Sequence, residues 1–183
     1  MAEGTLKNLY LVLSETGSLP SRFIHFFTKD GYSHVSLSLD RNLTEMYTFG
    51  RKYLYSIFPG GYIKECIHER MYKRFKNTRM AVIEISVDDV IYTEIKRKLH
   101  AMYEDKKKFH YNYCGIFLAY FKKNKKRKNY YYCSEFVYEI LYEFGIINNR
   151  MPNRVVRPND FLGFGLGKLI YIGFMRAYKC VNN

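Results

Sequence analysis

The stretch YYYCSEFVYEIL, residues 130–141, carries the clearest pattern in the chain. Its apolar residues recur at helical spacing and form one stripe: Phe136, Val137, Ile140, Leu141 and Phe144. Three glutamates spaced four apart lie on another face: Glu135, Glu139 and Glu143. Gly145 follows, and glycine commonly ends a helix because it adopts the left-handed conformation easily. We therefore predict a helix from about Cys133 to Phe144, with the cysteine in its first turn.

Cys133 is the residue of this stretch that can carry chemistry. Free backbone N–H groups and the positive end of the helix dipole favour a thiolate at a helix start. The thiolate is the nucleophilic form of cysteine, and a backbone N–H of the same turn can donate to an oxyanion. Free cysteine is also common as a small core residue, so position alone leaves both interpretations open. The other cysteines lack a helix start and are interpreted as structural: Cys66, Cys114 and Cys180.

A nucleophilic cysteine needs a base, and the strand pattern YSHVSLSLD, residues 32–40, offers His34. Val35, Leu37 and Leu39 alternate with polar residues, which predicts a half-buried strand with His34 on its polar face. The ring of His34 would then project toward a cleft. His110, beside YNY, is the one serious rival among the five histidines. The others have less suitable surroundings: His25, His68 and His100.

The third part of such a site is a polar group that orients the imidazole. Glu45 opens the segment Glu45 to Thr48, which we interpret as the hairpin partner of the His34 strand, closed by Gly50. A carboxylate on the neighbouring strand could reach the His34 ring. Asp40, at the strand end, is a weaker choice, and a surface ion pair is the alternative interpretation of Glu45.

Strands and helices occur without regular alternation, which predicts the α+β class in a single domain, residues 1–183. Further strands are predicted at 9–13, 80–86 and 168–177. Helices are predicted after the turn at 17–20, over 87–109 and over 112–121. The segment 51–79 is interpreted as irregular, with a break at Pro59-Gly60-Gly61.

The composition is basic and rich in rings, with a formal charge of +13, nineteen Tyr and fourteen Phe. The basic run at 122–128 could contact an anionic surface or lipid, but no nucleic-acid-binding motif accompanies it. Neither a CxxC pair nor zinc-ligand spacing is present, so we expect reduced thiols, no metal and no cofactor. The apolar stretch 9–13 is too short for a signal peptide or a membrane span, and we expect a cytoplasmic protein.

Taken in chain order, the motifs around His34, Glu45 and Cys133 resemble the permuted NlpC/p60 superfamily of papain-like cysteine hydrolases, particularly its YiiX/YebB-like branch. The resemblance rests on YSHVSLSLD with His34, TEMYTFG with Glu45, YYYCSEFVYEIL with Cys133, and RPNDFL at 157–162. It covers roughly residues 10 to 165. In permuted members the histidine strand precedes the cysteine helix, as it does here.

The resemblance implies a small antiparallel sheet or barrel packed on helices and a catalytic triad of Cys133, His34 and Glu45. It also supports Tyr111, in HYNYCGIF, as a cleft residue near the oxyanion. The implied reaction is acyl transfer from an amide or ester. We expect a peptidase or amidase acting on a small or cell-wall-type peptide. The alternatives are a lipid acyltransferase or phospholipase, as in the lecithin:retinol acyltransferase-like branch, and a non-catalytic module that binds an anionic partner.

Overall fold

The computed structural model describes residues 5–16, 31–54, 56, 58–115, 127–148 and 155–179. Within these ranges eight strands form one mixed sheet. They are β1 Leu6–Glu15, β2 His34–Ser38, β3 Met46–Arg51, β4 Gly60–Glu65, β5 Arg79–Asp88, β6 His110–Tyr111, β7 Tyr130–Tyr131 and β8 Lys168–Phe174. The α-helices bounded within the same ranges are α1 Arg70–Arg74, α2 Asp89–Glu104 and α3 Cys133–Glu143. The predicted α+β class is confirmed.

The sheet has the strand order β7-β6-β4-β3-β2-β1-β5-β8. Neighbours are antiparallel except β6 and β7, which are parallel. The long central strand β1 pairs with β2 on one side and β5 on the other. Its run Leu9 to Leu13 is buried throughout, because side chains that alternate across the strand enter apolar clusters on both faces of the sheet.

One face of the sheet packs against α2 and α3. Its cluster joins Leu11 and Leu37 of the sheet with Leu99 of α2 and Phe136 of α3, each at most 1% exposed. The opposite face carries a smaller cluster, which includes Val12, Met46, Tyr72, Met80 and Val82. The cysteine helix is thus anchored by its apolar stripe to the strand that carries His34.

Most of the predicted elements are present. The strands predicted at 9–13 and 80–86 lie within β1 and β5. The strand predicted at 168–177 contains β8 but runs three residues past its end, and the helix predicted over 87–109 contains α2. Helix α3 ends before Gly145, whose φ of +70° is the conformation expected for that glycine. Strand β3 pairs with β2 as expected, but it continues through Gly50 to Arg51 instead of closing there.

The interpretation of 51–79 as irregular is wrong, because this segment contains β4 and α1. Gly60 and Gly61 begin a strand here. A Cβ at Gly60 would lie 2.6 Å from the Tyr113 hydroxyl oxygen and 2.8 Å from Cβ of Tyr111. Glycine at position 60 therefore allows the segment that carries Tyr111 and Tyr113 to approach the β4 backbone closely.

Some sequence-based predictions fall outside the described residues. They concern the helix after 17–20, most of the helix at 112–121, His25, Cys180 and the 122–126 part of the basic run. Residues 113–115 are helical.

Candidate active site

Cys133 is the first residue of α3 and is 5% exposed. The first helical hydrogen bond of this turn runs from the Phe136 N–H to the Tyr132 carbonyl, at 3.0 Å. The N–H groups ahead of it in the first turn have no acceptor within the helix, as at any helix start. The thiol therefore sits where backbone donors and the helix dipole favour negative charge.

The structure brings His34 to this cysteine. The ring lies at the start of β2, and its side chain is 21% exposed. Nε2 is 3.2 Å from Oε2 of Glu65 and 3.3 Å from Oγ of Ser36, and a further side-chain hydrogen bond joins the ring to Cys133. Burial by itself lowers the pKa of His34. The Glu65 charge and the hydrogen bonds to Cys133 and Glu65 outweigh burial and raise this pKa from 6.5 to about 10.

Glu65, at the end of β4, is the carboxylate that meets His34, and its side chain is 11% exposed. Its Oε2 accepts hydrogen bonds from Ser36 Oγ at 2.8 Å and from the Tyr72 hydroxyl at 3.1 Å. Burial acts to raise the pKa of Glu65, but the His34 charge and these hydrogen bonds outweigh it and lower the pKa. The carboxylate is therefore held ionised beside the imidazole.

The expected contact between Glu45 and His34 is wrong, and the pleat of the sheet gives the reason. Ser38 pairs with Met46, and Met46 pairs with Glu65, so Glu65 shares a face with the even-numbered positions of β2, which include His34. Glu45 precedes β3 by one residue and belongs to the opposite face.

The Glu45 carboxylate has partners of its own on that opposite face. Its Oε1 accepts from the Tyr47 hydroxyl at 2.8 Å and from Lys64 Nζ at 3.1 Å, and it lies 3.0 Å from Nε2 of His100. This is the ion pair that the sequence left as the alternative for Glu45.

Glu65 is not among the predicted site residues because β4 was not predicted. The signal was present in GGYIKE, residues 60–65, where Tyr62 and Lys64 alternate with Gly61, Ile63 and Glu65. If this pattern is interpreted as the strand that follows β3 and pairs with it, Glu65 falls on the same face of the sheet as His34.

Tyr111 lies close enough to the cysteine for the charge of Cys133 to act on its hydroxyl. It pairs with Tyr131 across β6 and β7, and Tyr131 is two residues before Cys133. Burial raises the pKa of Tyr111 well above its ordinary value, and the charge of Cys133 raises it further. Its part in binding an oxyanion stays a prediction.

The weaker candidates have other surroundings. The ring of His110 is exposed and lies 4.9 Å from that of Tyr130. The Asp40 carboxylate accepts from the backbone N–H groups of Thr44 and Glu45, so it shapes the turn before β3. Cys114 is exposed and Cys66 is half-buried.

Comparisons with models of protein families, with curated proteins and with solved structures give no match for this chain. Among the described residues, no group of three or more His, Cys, Asp or Glu side chains could hold a metal ion. No helix within the same part of the chain has the length and apolar character needed to cross a membrane. The site is therefore interpreted from its own geometry.

Proposed function

We propose that this chain is a papain-like cysteine hydrolase of the permuted NlpC/p60 type, which cleaves an amide bond by acyl transfer. The observation that carries the proposal is that one imidazole, His34, joins a helix-start cysteine to a buried carboxylate. A cysteine, its base and a group that orients the base are the parts that nucleophilic catalysis requires. The order of the histidine strand before the cysteine helix also supports the permuted type.

The reaction begins with a protonated His34 ring beside the cysteine. Because the pKa of His34 is about 10, the ring keeps its proton at neutral pH, opposite the Cys133 sulfur. Glu65 holds Nε2 at 3.2 Å, which leaves Nδ1 as the ring nitrogen that exchanges a proton with the sulfur. The tautomer and orientation of the ring are thereby set from the side away from the nucleophile.

In the first step the Cys133 thiolate forms a C–S bond to the substrate carbonyl, and first-turn N–H groups bind the oxyanion. The C–N bond then breaks as His34 gives its proton to the leaving amine. In the second step the neutral ring takes a proton from water, whose oxygen attacks the thioester. The C–S bond then breaks with the Cys133 thiolate as leaving group, and the acid product leaves while the imidazolium is restored.

Alkylation by iodoacetamide tests the nucleophile. We expect Cys133, although buried, to react at about pH 6, where an ordinary thiol is protonated and slow. Exposed Cys114 serves as the internal comparison. His34→Ala should remove this low-pH reactivity, and His110→Ala is the matched control that should keep it. Mass spectrometry of the labelled peptides assigns each site.

The opposite result would favour the non-catalytic binding module. The proposal fails if Cys133 alkylates only above pH 8 with the profile of Cys114, and if His34→Ala leaves its profile unchanged. A panel of amide and ester substrates, run with wild type and Cys133→Ala, then identifies the bond that is cleaved.

A further inference from the structure

Three aromatic rings form a row beside the proposed nucleophile. The ring of Phe58 packs on that of Tyr113, with centroids 4.3 Å apart, and Tyr113 packs on Tyr111 at 4.7 Å. Tyr111 is the inner end of the row, because its strand partner Tyr131 is two residues before Cys133. Phe58 is the outer end and is 62% exposed. The row thus leads from solvent to the cysteine.

The backbone of β4 holds the inner part of the row in place. A Cβ at Gly60 would collide with the Tyr113 hydroxyl and with Cβ and Cγ of Tyr111. The backbone of Gly60 also hydrogen-bonds the Tyr113 hydroxyl. Both tyrosines thus pack against β4 without a ligand, and a preformed site does not lose binding energy to ordering its own walls.

Phe58, the outer ring of the row, still has apolar surface that a ligand can cover. A Phe side chain is stabilised by leaving water, yet most of the Phe58 surface faces solvent. Ligand sites are concave and lined mainly by apolar and aromatic side chains. An exposed ring that stacks on two further rings leading to a nucleophile has the composition of such a lining, and it favours an apolar occupant.

We propose that Phe58, Tyr113 and Tyr111 form a subsite for an apolar group attached to the scissile carbonyl. This inference rests on the proposed function and names its substrate class: amides whose acyl part carries a hydrocarbon chain or an apolar amino acid side chain. A hydrocarbon chain and an apolar amino acid side chain would make the same contact with the rings. Acyl p-nitroanilides and an amino acid p-nitroanilide distinguish the two.

The first measurement uses straight-chain acyl p-nitroanilides, from acetyl through butyryl and hexanoyl to octanoyl. Burying one methylene favours binding by a factor of about four at most, so kcat/KM of the wild type should rise about two- to fourfold for each one. Phe58→Ala should flatten this rise for the longer chains, and Phe58→Leu should restore part of it. N-acetylphenylalanine p-nitroanilide tests the side-chain source in the same variants.

Phe174→Ala is the matched control. Phe174 is also an exposed phenylalanine, at 44%, but it lies on β8 at the end of the sheet opposite β6 and β7. The Phe174→Ala variant should keep the wild-type rise of kcat/KM with acyl chain length. If Phe58→Ala and Phe174→Ala behave alike, the subsite is wrong.

Binding to Cys133→Ala separates this inference from the proposed function, because it needs no cleavage. Calorimetry with the same p-nitroanilides should show affinity that rises with chain length and is lost in Cys133→Ala/Phe58→Ala. If the affinity is the same for short and long acyl chains, the subsite is wrong even if the wild type is an active hydrolase. An inert Cys133 in the alkylation test overturns the hydrolase, whereas chain-length-dependent binding would still support the apolar site.

Discussion

Replacing Glu65 with glutamine tests the central contact of the site. The substitution keeps the size of the side chain and removes the negative charge that lies 3.2 Å from His34 Nε2. The charge of Glu65 is the largest of the influences that raise the pKa of His34, while burial opposes it. Without the carboxylate, burial is opposed only by Cys133, and the ring should lose its proton far more easily.

The size of the effect follows from the pKa itself. We expect the pKa of His34 to fall by about 1–3 units in Glu65→Gln, the shift that an opposite charge at this distance produces. At 1.36 kcal/mol for each pKa unit, the imidazolium loses about 1–4 kcal/mol of stabilisation. Loss of this charge and of the orienting carboxylate should slow alkylation of Cys133 about tenfold or more.

Proton NMR of the histidine rings across pH measures this pKa directly, with the His34 signal assigned from a His34→Gln variant. Glu45→Gln is the matched control, because it removes an equally sized charge from the opposite face of the sheet, beside His100. The control should leave the His34 titration unchanged. A His34 pKa that stays near 10 in Glu65→Gln, or that falls in Glu45→Gln instead, would contradict the assignment of Glu65 as the partner of His34.

Three further predictions concern stability and are measured by urea unfolding. Phe136→Ala should cost about 3–5 kcal/mol, because the ring is 1% exposed and packs on three other rings; a cost below about 1 kcal/mol would contradict this packing. Tyr72→Phe removes the donor 3.1 Å from Glu65 and should cost about 2 kcal/mol, more than Tyr92→Phe, whose hydroxyl bonds a neutral carbonyl. The pKa of His34 is raised above 6.5 and that of Glu65 is lowered below 4.5, so their pairing stabilises fully between about pH 4.5 and 6.5. This stabilisation is lost as pH rises through about 10 or falls through the lowered pKa of Glu65, and the stability gap between wild type and Glu65→Gln should narrow at both extremes.

Local patterns in the chain were enough to predict much of the fold. The alternation around Val35 and Leu37 predicted β2, and the helical stripe after Cys133 predicted α3 and its end at Gly145. Strand β4 was missed because Gly60 and Gly61 are typical of turns. Their role as strand residues depends on Tyr111 and Tyr113, which lie about fifty residues further along the chain.

The periodicity of neighbouring residues is enough to predict that a cysteine begins an amphipathic helix and that a histidine lies on the polar face of a strand. Which carboxylate accompanies them depends on how the strands pair, and no local pattern shows that. Glu45 and Glu65 are equivalent as residue types, and Glu45 is nearer to His34 in the chain. The pairing of β2, β3 and β4 places Glu65 on the face of His34 and Glu45 on the other, since successive side chains of a strand point to opposite sides of a sheet.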